Sequence, residues 1–180
     1  MSDILKDRAQ KIKLLLTDCD GVLTDGCVYY SERGEELKKF SLRDGMGVER
    51  LRNLAGVETG IITGEVSPSV IKRAEKLKIT ELHLGVKDKP AVFYEIIDRL
   101  NLKPEEVAYI GDDFTDVVVM RRVGFAIATA NARPEMKPIA HYVTEAPGGQ
   151  GAVREVIELL LKAQGKWDGI LKHYEICLEK

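Results

Sequence analysis

Six short apolar runs rich in β-branched residues, at 13–17, 58–62, 81–84, 107–110, 125–128 and 141–143, alternate with segments of helical period. Strands separated by helices cannot pair as hairpins. They build a parallel sheet covered on both faces, so the pattern predicts a three-layer, doubly wound (Rossmann-like) α/β fold. Ser67-Pro68 reads as an N-cap and first-turn proline for a helix reaching Leu77. Pro90 opens another to Leu100, with Val92, Ile96 and Leu100 on one face.

One segment breaks the rhythm. Residues 27–30 and 36–40 flank the polar Ser31-Glu32-Arg33-Gly34-Glu35, which predicts a β-hairpin flap over 27–40. Beyond it, Asp44 is the expected cap of the following helix. The tail, 164–180, carries Trp167, Ile170, Leu171, Tyr174 and Ile176, which predicts packing on its own domain or on a neighbour. At 180 residues, with no linker or repeat, a single domain over 1–180 is expected.

Lys and Arg number 27 and Asp and Glu 29, a net charge of −2, which disfavours an electrostatic nucleic-acid partner. No apolar run approaches the ~20 residues that cross a bilayer, and the charged start lacks the pattern of a secretory signal, so no membrane partner and a cytoplasmic location are expected. Cys19, Cys27 and Cys177 fall in no metal or disulfide spacing. Cys19 reads as a core side chain, and His83, His141 and His173 as structural or exposed.

Chemistry gathers at strand ends. In order they offer Asp18 and Asp20, then Thr63-Gly64, then Lys89 at the start of a helix, then Gly111-Asp112-Asp113-Phe114-Thr115-Asp116. Each alone has a bland reading: a turn, a solvated lysine, a helix cap. The Asp-x-Asp-Gly run could open a calcium loop, but the further alternating ligands and terminal Glu are missing. Together the stations suit phosphoryl transfer to a carboxylate, where a divalent cation offsets the repulsion between anions and a lysine and a hydroxyl hold the phosphoryl oxygens.

These motifs resemble those of the haloacid dehalogenase superfamily: Asp18 to Gly21, Thr63, Lys89, and Gly111 to Asp116. The resemblance implies that Asp18 is the nucleophile and that Asp20 is the general acid and base, lending its carbonyl to the metal. It implies a Mg2+ site formed by Asp18, Asp20 and Asp112, phosphoryl binding by Thr63, Gly64 and Lys89, and an orienting role for Asp113 and Asp116. The gaps that hold a cap domain in many relatives are too short here, so a capless fold is expected, with the site completed by a neighbouring subunit in a homo-oligomer, a tetramer.

Leu23-Thr24-Asp25-Gly26, Gly34-Glu35, Lys38, Phe40, Arg43-Asp44-Gly45-Met46-Gly47 and the run from Gly148 to Glu155 resemble the capless 3-deoxy-D-manno-octulosonate 8-phosphate phosphatases of lipopolysaccharide precursor synthesis. A sugar-acid phosphate is then the implied substrate, with Arg43 a candidate contact. Glu65 departs from the arginine common there and, with Arg73 and Lys76, looks more like phosphatases of nine-carbon 2-keto-3-deoxynononate 9-phosphate. Two further readings are a phosphomutase, disfavoured without a cap, and a non-catalytic, phosphatase-like regulatory domain, which would not need Asp20.

Overall fold

The structure is a computed structural model that describes residues 2–176, with the backbone alone at Glu36. Helix α1 (Asp3–Gln10) leads into β1 (Leu14–Thr17), followed by the hairpin strands β2 (Thr24–Ser31) and β3 (Gly34–Phe40). Helix α2 (Leu42–Arg50) runs on as a π-helical turn, Leu51–Ala55. Then come β4 (Glu58–Ile62), α3 (Pro68–Leu77), β5 (Glu81–His83), α4 (Lys89–Leu100), β6 (Val107–Gly111), α5 (Phe114–Met120), β7 (Phe125–Ala128), β8 (Tyr142–Val143), α6 (Ala152–Ala163) and α7 (Trp167–His173).

The six core strands are parallel and lie in the order β5-β4-β1-β6-β7-β8. The chain builds outward from β1 to one edge, then returns to its other side. The switch point therefore falls between β1 and β6, where open α/β sheets bind ligands. Alternation along the strands feeds two cores. Leu15, Ile61, Ala108 and Ile110 pack under α1, α2, α3 and α6, while Leu14, Leu16, Ile62 and Tyr109 pack under α4 and α5.

The hairpin is a separate two-stranded antiparallel sheet leaving the carboxyl end of β1. It begins three residues earlier than its apolar pattern suggests, and its turn is shorter, closing between Ser31 and Gly34. Its outer residues Tyr29, Tyr30 and Leu37 are exposed.

One expectation needs correction. Asp44 does not cap its own helix: Ser41 does, its Oγ accepting the Asp44 N–H at 3.3 Å, because Asp44 lies within the first turn with its carboxylate turned into the interior. The tail packs on its own chain in part. Ile170 is buried and Trp167 lies under Lys162, whereas Tyr174 and Ile176 are exposed, and Cys177 lies outside the described residues. Cys19 is buried, and burial pushes its thiol far above the ordinary range, which keeps it protonated.

Candidate active site

Strand β1 ends in Thr17, and the next residue, Asp18, is held by its own N–H to the Ile110 carbonyl of β6 at 3.0 Å. The Asp18 carboxylate is nearly buried, and its Oδ1 accepts the Cys19 N–H at 2.7 Å and lies 3.1 Å from Lys89 Nζ. Lys89 opens α4, the helix after β5, and is itself buried. Its ammonium also donates to Asp116 Oδ1 at 2.7 Å. Burial works against that charge, but the adjacent Asp116 and Asp18 outweigh it and raise the lysine's pKa.

Asp116 is the hub beneath the site. It is fully buried on α5, with Oδ1 accepting from Lys89 and from the Tyr109 hydroxyl at 2.7 Å, and Oδ2 accepting the N–H groups of Asp112 and Asp113. Its charge is fully committed to orienting Lys89 and the β6–α5 turn. Tyr109 escaped the sequence reading because an apolar β6 gives no sign that one of its inward side chains ends in a hydroxyl partner for an acid seven residues on. Asp113 caps α5 through the Phe114 N–H and is exposed, a helix-terminus role rather than a place in the cluster.

Asp18, Asp112 and Asp116 bring carboxylate oxygens within 4.8 Å of one another. Burial, then repulsion from Asp116, pushes Asp18 up to about 6, and the same causes push Asp112 up to about 7. Asp112 Oδ1 is buried without a hydrogen-bond partner. The Asp112 carboxylate also fills the space where a side chain at position 21 would stand, for a Cβ on Gly21 would lie 2.0 Å from its Oδ2. An orphaned, charge-strained oxygen beside a second acid, at a turn glycine that leaves it room, fits a hard divalent cation with oxygen ligands.

Asp20, two residues after Asp18, faces the hairpin. Lys38 Nζ on β3 lies 2.7 Å from both of its carboxylate oxygens, and Thr24 Oγ1 donates to Oδ1 at 3.3 Å. Beyond β4, Thr63 is buried, with its N–H on the His83 carbonyl and its own carbonyl accepting from Val86.

Asp18, Asp20, Thr63, Gly64, Glu65 and Lys89 line one cleft of about 580 Å³, with Phe114 and Val118 on its rim. Glu65 is exposed at the mouth. Arg43 is exposed on α2 and is not among the cleft residues. Arg73 is turned away, its guanidinium donating to the Ser41 carbonyl at 2.7 Å and lying over Phe40. A larger groove, about 1080 Å³, lies at the amino ends of the strands between Lys11, Lys13, Glu106 and Gly165. Its Lys13–Glu106 pair leaves a solvated surface there, without the buried acid and lysine cluster of the smaller cleft.

A family profile described as haloacid dehalogenase-like hydrolase matches residues 28–124, more than half of the chain. The chain belongs to this family. Among the relatives of this haloacid dehalogenase-like hydrolase, the 3-deoxy-D-manno-octulosonate 8-phosphate phosphatase of Yersinia pestis is 46% identical over 169 residues, 94% of this chain and 90% of the relative. That of Escherichia coli K12 is 47% identical over 161 residues, 89% and 85% of the two chains. A Moraxella catarrhalis phosphatase of the same name, solved with magnesium, phosphate and the sugar acid KDO, superposes with a TM-score of 0.93 at 36% identity, covering 97% of this hydrolase and 99% of the other chain. None of the described helices is long and apolar enough to cross a membrane.

Proposed function

We propose that this hydrolase converts 3-deoxy-D-manno-octulosonate 8-phosphate and water to KDO and phosphate through an aspartyl-phosphate. The observation that carries the reading is the meeting of Asp18, Asp20, Thr63 and Lys89 in one cleft at the switch point, above a buried acid cluster. The identity to the octulosonate phosphatases supports the choice of sugar.

In the proposed reaction, Asp18 attacks phosphorus with Oδ2, since Oδ1 is taken up by the Cys19 N–H and Lys89. The bond to the sugar oxygen breaks, and Asp20 supplies a proton to the departing alkoxide. Asp20 then takes a proton from the water that attacks the aspartyl-phosphate, which restores the Asp18 carboxylate and releases phosphate. Lys89, fixed by Asp116 and Tyr109, holds the transferring phosphoryl group with the Thr63 hydroxyl and the Gly64 N–H. Asp18, Asp112 and the Asp20 carbonyl would hold Mg2+, which when bound offsets the charge between the nucleophile and the phosphoryl oxygens. Lys89 and Tyr109 already occupy Asp116, so its part is to position Lys89.

The cleft lies open beside the hairpin, whose Tyr29, Tyr30 and Leu37 are exposed together with Val66 and Phe114 around it. This apolar rim supports a homo-oligomer, a tetramer, in which a neighbour covers the cleft and brings groups such as Arg43 to it. Residues 1–180 are read as one domain acting in the cytoplasm.

Glu65 favours one second reading. A carboxylate at the mouth suits hydroxyls or an amine rather than an anionic substrate end, which fits the nine-carbon 2-keto-3-deoxynononate 9-phosphate. The test compares kcat/KM for the eight-carbon and nine-carbon phosphates in the wild type and Glu65→Arg. Preference for the eight-carbon ester supports the first reading, preference for the nine-carbon ester the second, and equal, very low values for both refute the sugar-acid assignment. Light scattering at assay concentration reports the tetramer.

A further inference from the structure

We propose that Lys38 is a positioning residue for the reaction: it holds the Asp20 carboxylate in its working place and so couples the hairpin to proton transfer. The inference rests on the acid and base role given to Asp20 above.

Lys38 is unlike the rest of its hairpin. The flap is otherwise largely solvated, yet the Lys38 side chain is 1% exposed. A buried ammonium is costly unless paired, and the nearest partner of this one is Asp20, with Nζ at 2.7 Å from both of its oxygens. Glu35, three residues back on β3, places Oε2 3.6 Å from the same ammonium. Glu35 in turn accepts a hydrogen bond from the Ser67 hydroxyl, at the N-cap of α3 and four residues beyond Thr63. The relay from Ser67 through Glu35 and Lys38 to Asp20 spans the loop after β4, the flap and the loop after β1, three of the parts that frame the cleft.

Lys38 is not among the cleft residues, so it acts through Asp20 and not on the substrate. Without it, the contact left to the Asp20 carboxylate among the described residues is the 3.3 Å hydrogen bond from Thr24 Oγ1, a weak hold against rotation toward solvent. A group that merely anchors the flap would slow every substrate alike. One that positions the acid slows only those substrates whose leaving oxygen needs a proton.

That difference is measurable in the first turnover. The rates of leaving-group release from the sugar phosphate, whose alkoxide needs protonation, and from p-nitrophenyl phosphate, whose phenolate does not, are compared by rapid quench. For Lys38→Met the expectation is a fall of about 10²-fold with the sugar phosphate, within the range of general acid catalysis, and little change with the aryl ester. Lys38→Arg, which keeps the charge and a forked donor, should recover most of the loss. Asp20→Asn, run alongside, should show the same selectivity more strongly. Equal losses on both esters, or none, for Lys38→Met and Glu35→Gln while Asp20→Asn is selective would overturn the proposal and leave the acid assignment standing. An Asp20→Asn variant without selectivity would remove that assignment itself.

Discussion

The Asp44 carboxylate of α2 accepts the Arg154 N–H of α6 at 2.7 Å, so that one helix caps another 110 residues away. The N-cap position of α6 is Gly151, which has no side chain to offer, and Asp44 takes its place from across the interface. The second Asp44 oxygen is buried without a partner, and burial raises the carboxyl's pKa against the pull of these donors. Asp44→Ala should cost about 1–3 kcal/mol, read as a lowered melting temperature, while Asp44→Asn, which keeps an acceptor, should lose less. Equal losses would show that the acceptor is not what matters.

Gly148 presses on the back of the nucleophile loop. A Cβ there would stand 1.7 Å from the Gly21 carbonyl oxygen, and backbone cannot yield as a side chain would. Gly148→Ala should displace the turn that follows Asp20 and lower kcat by ~10²-fold, the scale of a misplacement near 1 Å. Phosphate-release assays on a variant with an unchanged far-ultraviolet spectrum test this, and wild-type kcat would contradict it.

What the sequence made legible and what it hid divide along one line. The strand-end acids, Thr63 and Lys89 were readable because each station is local: an apolar run, a glycine, a polar residue. The contacts of Asp44 with Arg154, Lys38 with Asp20 and Gly148 with Gly21 join segments that meet only after folding. Asp113 shows the local side of the same line, since its hydrogen bond to the Phe114 N–H is the cap that the turn-and-helix pattern suggests.

Asp18→Asn should abolish turnover and still bind the sugar phosphate, because the attacking anion is lost while Lys89 and Thr63 remain. Asp116→Asn should do more harm to stability. It leaves Lys89 with Asp18 as its remaining carboxylate, a loss of about 1.5–3 kcal/mol for a hydrogen bond to a charged group, measurable by denaturant unfolding.

Magnesium alone should stabilise the folded chain. Near 100 times its dissociation constant, the gain is about 2.7 kcal/mol, visible as a rise in melting temperature without substrate, and a chelator should reverse it together with activity. Asp112→Asn should erase most of the rise, since the negative charge beside the unpartnered oxygen goes with it. An undiminished rise in that variant would place the cation elsewhere.

His141 sets a pH dependence away from the cleft. Its Nδ1 accepts the Ala126 N–H at 2.9 Å, and burial, then Arg8, lowers its pKa below 6.5. The unfolded chain therefore takes up the proton first as pH drops. The stabilisation is complete above about 6.5 and is lost as pH falls through the lowered folded value. His141→Asn, which can still accept from Ala126, should flatten the decline in melting temperature between about pH 7 and pH 5. Parallel slopes for the two proteins would refute the assignment.

The strand order carries a consequence for synthesis. Because β1 lies between β4 and β6, Asp18 has no lysine beside it until α4 has formed, and no Asp112 carboxylate until β6 lies beside β1. A ribosome-bound chain that has not yet extruded Asp116 holds Asp18 but not the carboxylate that fixes Lys89. The candidate site is thus complete only when strands from both halves of the sheet flank β1.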